Sequence, residues 1–267
     1  MIYKLIAVFL FTLIIHLIGT LAYSVRLVGV RTRRIAVSFA LFNILVLVSR
    51  TANSFQAPLL AKVIEHDLPL VNLAHPSYVF HILIFAASLG TLIGAFLVPT
   101  FQILLGKFVL QFSVKRSMPR LILHSFSKSG VRQFRDNFKM PSKGNVDHFK
   151  NFTQVPLKIM LLNVFIVSIL TVGSFAALYA ALLDPNLRLT ASTLVPIVTG
   201  IATSLLVVCV DPFLSLLTDD CLEGKASEAF FHKCVVLMVA SRFVGTLLAQ
   251  VMLIPASKII LSVATML

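Results

Sequence analysis

Tryptophan is absent from the 267 residues, and acid is scarce, with 10 Asp and Glu against 23 Lys and Arg. Each shortage excludes something. Charged residues make up 12% of the chain, against roughly 25% in soluble domains, so a solvated globular fold is excluded. The three cysteines, Cys209, Cys221 and Cys234, form no CxxC and no metal spacing, which leaves free thiols. No GxxxxGK[ST] and no HExxH occurs, so neither a P-loop ATPase nor a zinc protease is encoded. Asp211 is the single acid deep in an apolar run. An enzyme working at membrane depth should cluster its acids, and a proton-coupled carrier should show several of them. The run Asp219-Asp220-Cys221-Leu222-Glu223 has the outline of a magnesium–diphosphate motif, but no second acidic cluster completes it. The expectation is no catalysis, no cofactor and no metal.

What is present is hydrocarbon: 58% of the residues are hydrophobic. Apolar runs long enough to cross a ~30 Å core recur six times, near 2–23, 35–61, 78–113, 156–182, 190–218 and 230–263. The fold expected is all-α, a polytopic integral membrane protein in one transmembrane domain over 1–267. The first run is too long for a signal-peptide core and is followed by Arg26, Arg31, Arg33 and Arg34, so it reads as a retained anchor. The third exceeds one span, so it must tilt, break or leave the membrane.

Lys and Arg orient the spans. Loop 24–34 holds four arginines, and loop 114–155 holds nine basic residues and two acids, or +7. The other loops, 62–77, 183–189 and 219–229, hold one each: Lys62, Arg188 and Lys225. The arginine-rich loops are therefore expected inside and both termini outside. Tyr3, Tyr23, Tyr78 and Tyr179 fall at span ends, where an amphipathic ring sits in the interface. Within the basic loop, Val131, Phe134 and Phe138 recur at helical spacing, with Arg132, Arg135 and Lys139 one step round. That predicts a short helix between Pro119 and Pro141 lying on anionic inner-leaflet lipid. A membrane-tethered loop without a recognition motif argues against nucleic acid.

Two segments match at an offset of 120 residues: Leu41-Phe42-Asn43 and Thr51–Ala57 against Leu161-Leu162-Asn163 and Thr171–Ala177. This suggests a parallel internal repeat of helix hairpins, with Pro99 and Pro212 in the spans that follow. Ala86, Gly90 and Gly94 form a small-residue row, as do Gly173 with Ala177 and Gly245 with Ala249. Such rows let backbones approach closely, either within the chain or, for Gly90 and Gly94, in a homodimer.

One cation stands out. Arg50 lies in the middle of the second run, among Asn43, Ser49, Thr51, Asn53, Ser54 and Gln56. A cation in hydrocarbon costs at least ~2.5 kcal/mol, so it should face a bundle interior or a wet cavity. Arg50, Asn53 and Gln56 recur every third residue, and one cation with two amides suits a phosphate or a sugar. Ser241-Arg242 places a second cation in the last run. Asp211 could pair with Arg50 or Arg242, or carry a proton, but one acid cannot neutralise both arginines. His16 and His81 read as satisfied core histidines before proton carriers. The candidate anion-binding residues are thus Arg50, Asn53, Gln56 and Arg242.

The stretch from His16 to Ala61, and within it TLAYSVR, GVRT, RIAVSFALFN and LVSRTAN, resembles the Amj family of alternate lipid II flippases from Bacillus-type bacteria. That resemblance implies a bacterial cytoplasmic-membrane protein that moves undecaprenyl-diphosphate-linked lipid II outward for cell-wall synthesis. It transfers no site residue. It agrees with the arginines, because guanidinium forks match phosphate oxygens. An ion-coupled secondary transporter of another anionic substrate is the competing expectation.

Overall fold

The computed structural model describes residues 2–67, 76–115, 127–140 and 156–267. All regular structure among them is helical, as hydrocarbon requires of a backbone that must satisfy its own polar groups. The elements are α1 (Ile2–Thr32), α2 (Ile35–Lys62), α3 (Ser77–Lys115), α4 (Lys128–Asp136), α5 (Leu157–Leu183), α6 (Arg188–Thr193), α7 (Val195–Leu205), α8 (Asp211–Leu222) and α9 (Glu228–Met266). Six helical stretches are long and apolar enough to cross a membrane, with α6, α7 and α8 together making the fifth.

Two boundaries differ from expectation. The supposed loop 24–34 is mostly helix, because α1 runs on to Thr32. Val25, Leu27 and Val28 continue the buried apolar face past Tyr23, so nothing stops the helix. The reversal is confined to Arg33, at φ 50, and Arg34. The fifth span is not one helix. A π turn, Leu206–Val210, precedes α8. Pro212 occupies the first turn of α8, where its missing N–H is tolerated, whereas an uninterrupted helix would set its ring against a carbonyl one turn back. Pro99 and Pro255 by contrast sit inside continuous helices. The long third run neither breaks nor ends early and forms 39 residues of α3.

Two helix pairs carry the bundle, α1 with α3 and α5 with α9. Both use the same device. A Cβ on Gly90 would lie 3.0 Å from Leu13 Cα, and one on Gly94 would lie 2.8 Å from Thr20 Cβ. A Cβ on Gly245 would lie 2.7 Å from the Val164 carbonyl oxygen. Gly173 fits against Val198 of α7 in the same way. The Gly90/Gly94 face is therefore covered by α1 of the same chain and is not free to form a homodimer contact. Close backbone approach supplies the dispersion that holds helices together in lipid.

The second and fifth spans are peripheral. α2 lies along α1 and buries only Ser38, Leu41, Ala52, Gln56 and Leu60. It also ends in a π turn, Val63–Asp67. α5 is central and packs against α7 and α9. The 120-residue match of α2 with α5 has no counterpart in packing: Asn43 is exposed, while Asn163 is fully buried.

Apolar side chains gather in two main cores. One, at the Lys62 end of α2, includes Val8, Leu60, Phe80, Phe175 and Leu253. The other, at the Arg31 end of α1, includes Leu27, Ile166, Leu214, Phe231 and Met238. Between them, α1, α3, α5 and α9 bury polar residues instead, among them Thr12, His16, Thr20, Thr91, Thr171, Ser241 and Thr246.

α4 is the expected amphipathic helix. Ser127 caps it, accepting from the Gly130 N–H at 3.3 Å. Phe134 and Phe138 touch at 6.2 Å and are exposed, as are Arg132, Arg135 and Lys139. The chain after it is fastened to α3, since the Lys139 N–H donates to Thr100 Oγ1 at 3.0 Å and Lys107 Nζ donates to Asn137 Oδ1 at 2.7 Å. Pro119, Pro141 and the basic residues Arg116, Arg120, Lys143 and Lys150 lie outside the described residues.

Candidate functional site

The buried polar groups divide into those whose hydrogen bonds are spent and those whose bonds are not. Most hydroxyls in the middle layer bond their own helix: Thr12 to the Val8 carbonyl, Thr20 to His16, Thr91 to Ala87 and Thr171 to Val167, each at 2.7–2.8 Å. Their protons are spent locally, which leaves them no donor for a ligand. His81 Nδ1 and Gln250 Oε1 meet at 2.9 Å, and Gln250 Nε2 donates back to the His81 carbonyl at 3.0 Å. That closed pair ties α3 to α9. Tyr23 donates to Asn163 Oδ1 at 3.0 Å, and Asn163 Nδ2 donates to Ser241 Oγ at 2.7 Å. This chain of three ties α1, α5 and α9 together.

Arg26 is also fully engaged. Its Nη2 bonds Asp211 Oδ1 at 3.0 Å, its Nη1 bonds Ser215 Oγ at 2.6 Å, and its guanidinium lies 5.2 Å from the Phe39 ring centroid. The π turn places Asp211 at the start of α8, where its carboxylate meets Arg26. Asp211 therefore has a partner, but it is neither Arg50 nor Arg242. Arg31 bonds Gln102 Oε1 at 3.1 Å and also pairs with Glu228, which joins the end of α1 to the interior of α3 and the start of α9.

Arg242 is different. It is half-buried, its Nε has no hydrogen-bond partner, and no carboxylate among the described residues pairs with it. Its guanidinium lies against Gly19: a Cβ there would sit 2.8 Å from Arg242 Cζ. Glycine at this point leaves the space that the guanidinium fills. One turn away on α1, His16 is 7% exposed and its Nδ1 is unpartnered. Two unsatisfied groups on facing helices thus share one spot.

The α2 residues fall elsewhere around α1. Arg50 and Asn53 are exposed on the flank of α2, and the Arg50 side chain makes no hydrogen bond or ion pair among the described residues. Gln56 turns into the α1 interface, where its Oε1 has no partner. The trio therefore does not form one working face, because a three-residue step rotates by about 60° short of a full turn and two steps carry Gln56 away from Arg50. Their height is informative. Phe11 stacks on Phe55 at 6.3 Å, and Gly29 packs under Ser38. That antiparallel register puts Arg50 level with His16, in the same layer as Arg242.

Two residues of this centre go unassigned on sequence grounds. His16 reads as a core histidine and Gly19 is unremarked. The signal was legible on α1: His16, Gly19, Tyr23 and Arg26 are spaced three, four and three apart, which is one helix face. Tyr23 and Arg26 bond partners on other helices, and Gly19 receives the Arg242 guanidinium.

The fold and this centre define a multi-pass helical membrane protein with a polar layer between two apolar cores. Residues 11–264 match the family Amj, Alternate to MurJ, and the chain belongs to that family. It is 38% identical over 251 residues to the lipid II flippase Amj of Bacillus subtilis (strain 168), covering 94% of this chain and 93% of that relative. No solved structure matches.

Proposed function

We propose that this chain is a lipid II flippase of the cytoplasmic membrane, moving the undecaprenyl-diphosphate-linked peptidoglycan precursor from the inner to the outer leaflet. The carrying observation is a cation that no acid among the described residues pairs with, in the middle layer of a bundle whose sequence is 38% identical to a lipid II flippase. Unpaired Arg242 is a poor helix fastener and a good anion receptor, since a desolvated guanidinium gains most from a phosphate fork. Arg50, level with it, faces outward from α2 with Asn53. An exposed cation at that depth is tolerable when a headgroup passes over it. Gln56 supplies an amide on the α1 side. No bond of the substrate need break, so the activity is transport and not catalysis.

The arginine-rich end is taken as cytoplasmic and both termini as external. α4 then lies on the inner leaflet, where Phe134 and Phe138 enter lipid and Arg132, Arg135 and Lys139 meet anionic headgroups at about 1 kcal/mol each. Asp211 is held by Arg26, which leaves an ion-coupled carrier for another anion with less support. Transport then runs on the membrane potential: each negative charge moved outward releases ~2.3 kcal/mol per 100 mV.

The test is depletion of this protein in cells that lack every other lipid II flippase. Lipid II should accumulate on the cytoplasmic side. Normal outward lipid II after depletion removes the reading. Collapsing the potential at constant external pH should stop flipping. Flipping that persists until the proton gradient is removed would instead point to Asp211 or His16 as a proton carrier.

A further inference from the structure

The chemistry of the His16–Gly19–Arg242 spot is narrower than that of a general headgroup pocket. A sugar hydroxyl needs both a donor and an acceptor to replace its water. The nearest acceptors each already take a bond that braces a helix or ties two together. Asn163 Oδ1 receives Tyr23, Ser241 Oγ receives Asn163, and the His16 carbonyl receives Thr20. What remains is a guanidinium with a free Nε–H and an imidazole whose Nδ1 has no partner. A guanidinium only donates, and an imidazole donates from one nitrogen and accepts at the other when neutral, or donates from both when protonated. With a cation that no carboxylate among the described residues pairs with, the spot suits an anion.

Its depth selects which anion. Thr100 holds the end of the interfacial α4 segment. Gly94 packs on Thr20 and Gly106 faces Val28, so Thr100 is level with Ser24, beside Tyr23. An amphipathic basic helix marks the membrane surface. Gly19 lies four residues deeper, about 6 Å below that surface at 1.5 Å per residue. In a polyprenyl-linked saccharide the diphosphate joins tail to sugar, so it is the deepest polar group. A receptor about one turn below the surface meets the diphosphate while the sugars and peptide remain above it.

We propose that His16, Gly19 and Arg242 form a diphosphate seat that binds polyprenyl diphosphates whatever sugar they carry, including the sugar-free carrier diphosphate. Arg242 provides the fork, His16 the second donor, and Gly19 the space without which the guanidinium could not lie there. This deepens the flippase reading and rests on it for the polyprenyl tail.

The experiment uses the full chain in phosphatidylethanolamine–phosphatidylglycerol nanodiscs with fluorescent undecaprenyl diphosphate as probe. Unlabelled undecaprenyl diphosphate and lipid II should compete within about tenfold of each other, and inorganic pyrophosphate should compete far more weakly, since it lacks the tail burial that supplies most of the affinity. Arg242→Gln should weaken probe binding by about ten- to a hundredfold, the usual weight of a charge-assisted bond. Gly19→Ala should do the same while leaving thermal unfolding near that of the parent, because its Cβ meets only the far end of a flexible side chain. It answers the question even if Arg242→Gln fails to fold. Unchanged probe binding in Gly19→Ala overturns the seat, and pyrophosphate competing as well as the lipid overturns the polyprenyl assignment. The two readings fail separately. Lipid II accumulation on depletion, with undecaprenyl diphosphate unable to compete against it, removes the seat and keeps the flippase. Probe binding lost in both variants, with no lipid II accumulation, keeps the seat and removes the flippase.

Discussion

Arg26 and Arg242 are both arginines of long apolar helices, and both reach across the bundle to another helix, yet their surroundings are opposite. Arg26 is 8% exposed and has a carboxylate, a hydroxyl and an aromatic face around it. Arg242 is less buried and has a glycine, a histidine and an open Nε–H. Burial alone would have ranked Arg26 first as a functional residue. Satisfaction reverses the ranking. A cation whose bonds are closed holds α1 to α8, and one whose bonds are open is available to a ligand. The π turn before α8 belongs to the first arrangement, because it sets Asp211 opposite Arg26.

The comparison breaks most sharply at Asp211. Asp211→Asn leaves Arg26 buried beside a neutral amide, and loss of one partner of a buried pair costs about 3 kcal/mol. The expected outcome is a clear fall in melting temperature and in membrane protein level. Reversing the pair, Arg26→Asp with Asp211→Arg, should restore part of it. Equal stability of Asp211→Asn and the parent would show the pair to be ornamental.

Arg242→Gln should invert that pattern. No carboxylate is stranded, so protein level and melting temperature should stay near those of the parent, while complementation of a flippase-deficient strain is abolished. Arg50→Ala is expected to behave in the same way. A loss of stability as large as that of Asp211→Asn would place Arg242 with Arg26 among the fasteners.

Replacing Arg132, Arg135 and Lys139 together by Gln sharpens the contrast between membrane-depth and surface cations. Binding to anionic vesicles should weaken by about 1 kcal/mol per charge, with slower transport and unchanged topology by cysteine labelling. The smallest effect is expected at Arg31. Its pair with Glu228 is 40% and 50% exposed, so Glu228→Gln should cost no more than about 0.5 kcal/mol of stability, measured as a small shift in thermal unfolding.

Much of this was legible before any coordinate. The spans near 2–23, 35–61, 78–113, 156–182, 190–218 and 230–263 are all present, the fifth as a broken one, and the start of the aromatic and basic rows forms a helix, α4, which ends at Asp136 before Phe138 and Lys139. Arg242 was legible as a buried cation because its neighbours are apolar. Arg26 was misplaced in a loop because arginine density looks the same whether the backbone has turned or continued. The break before Asp211 was hidden, since one proline in the first turn of a helix and one inside a helix are written alike. Gly90 and Gly94 announced a close contact but not with which helix.

The sequence by itself determined the all-helical class, the number of spans and the place of Arg242 within one of them. In hydrocarbon the backbone must bond to itself, and each charge is conspicuous. Only the tertiary structure decided which of the deep cations is satisfied. Arg26 meets Asp211 across 185 residues of chain, and Arg242 meets Gly19 on a helix at the opposite end of the sequence. Such meetings depend on the register and rotation of helices packed through glycine faces, and a difference of one turn, about 5.4 Å, would exchange a closed bond for an open one.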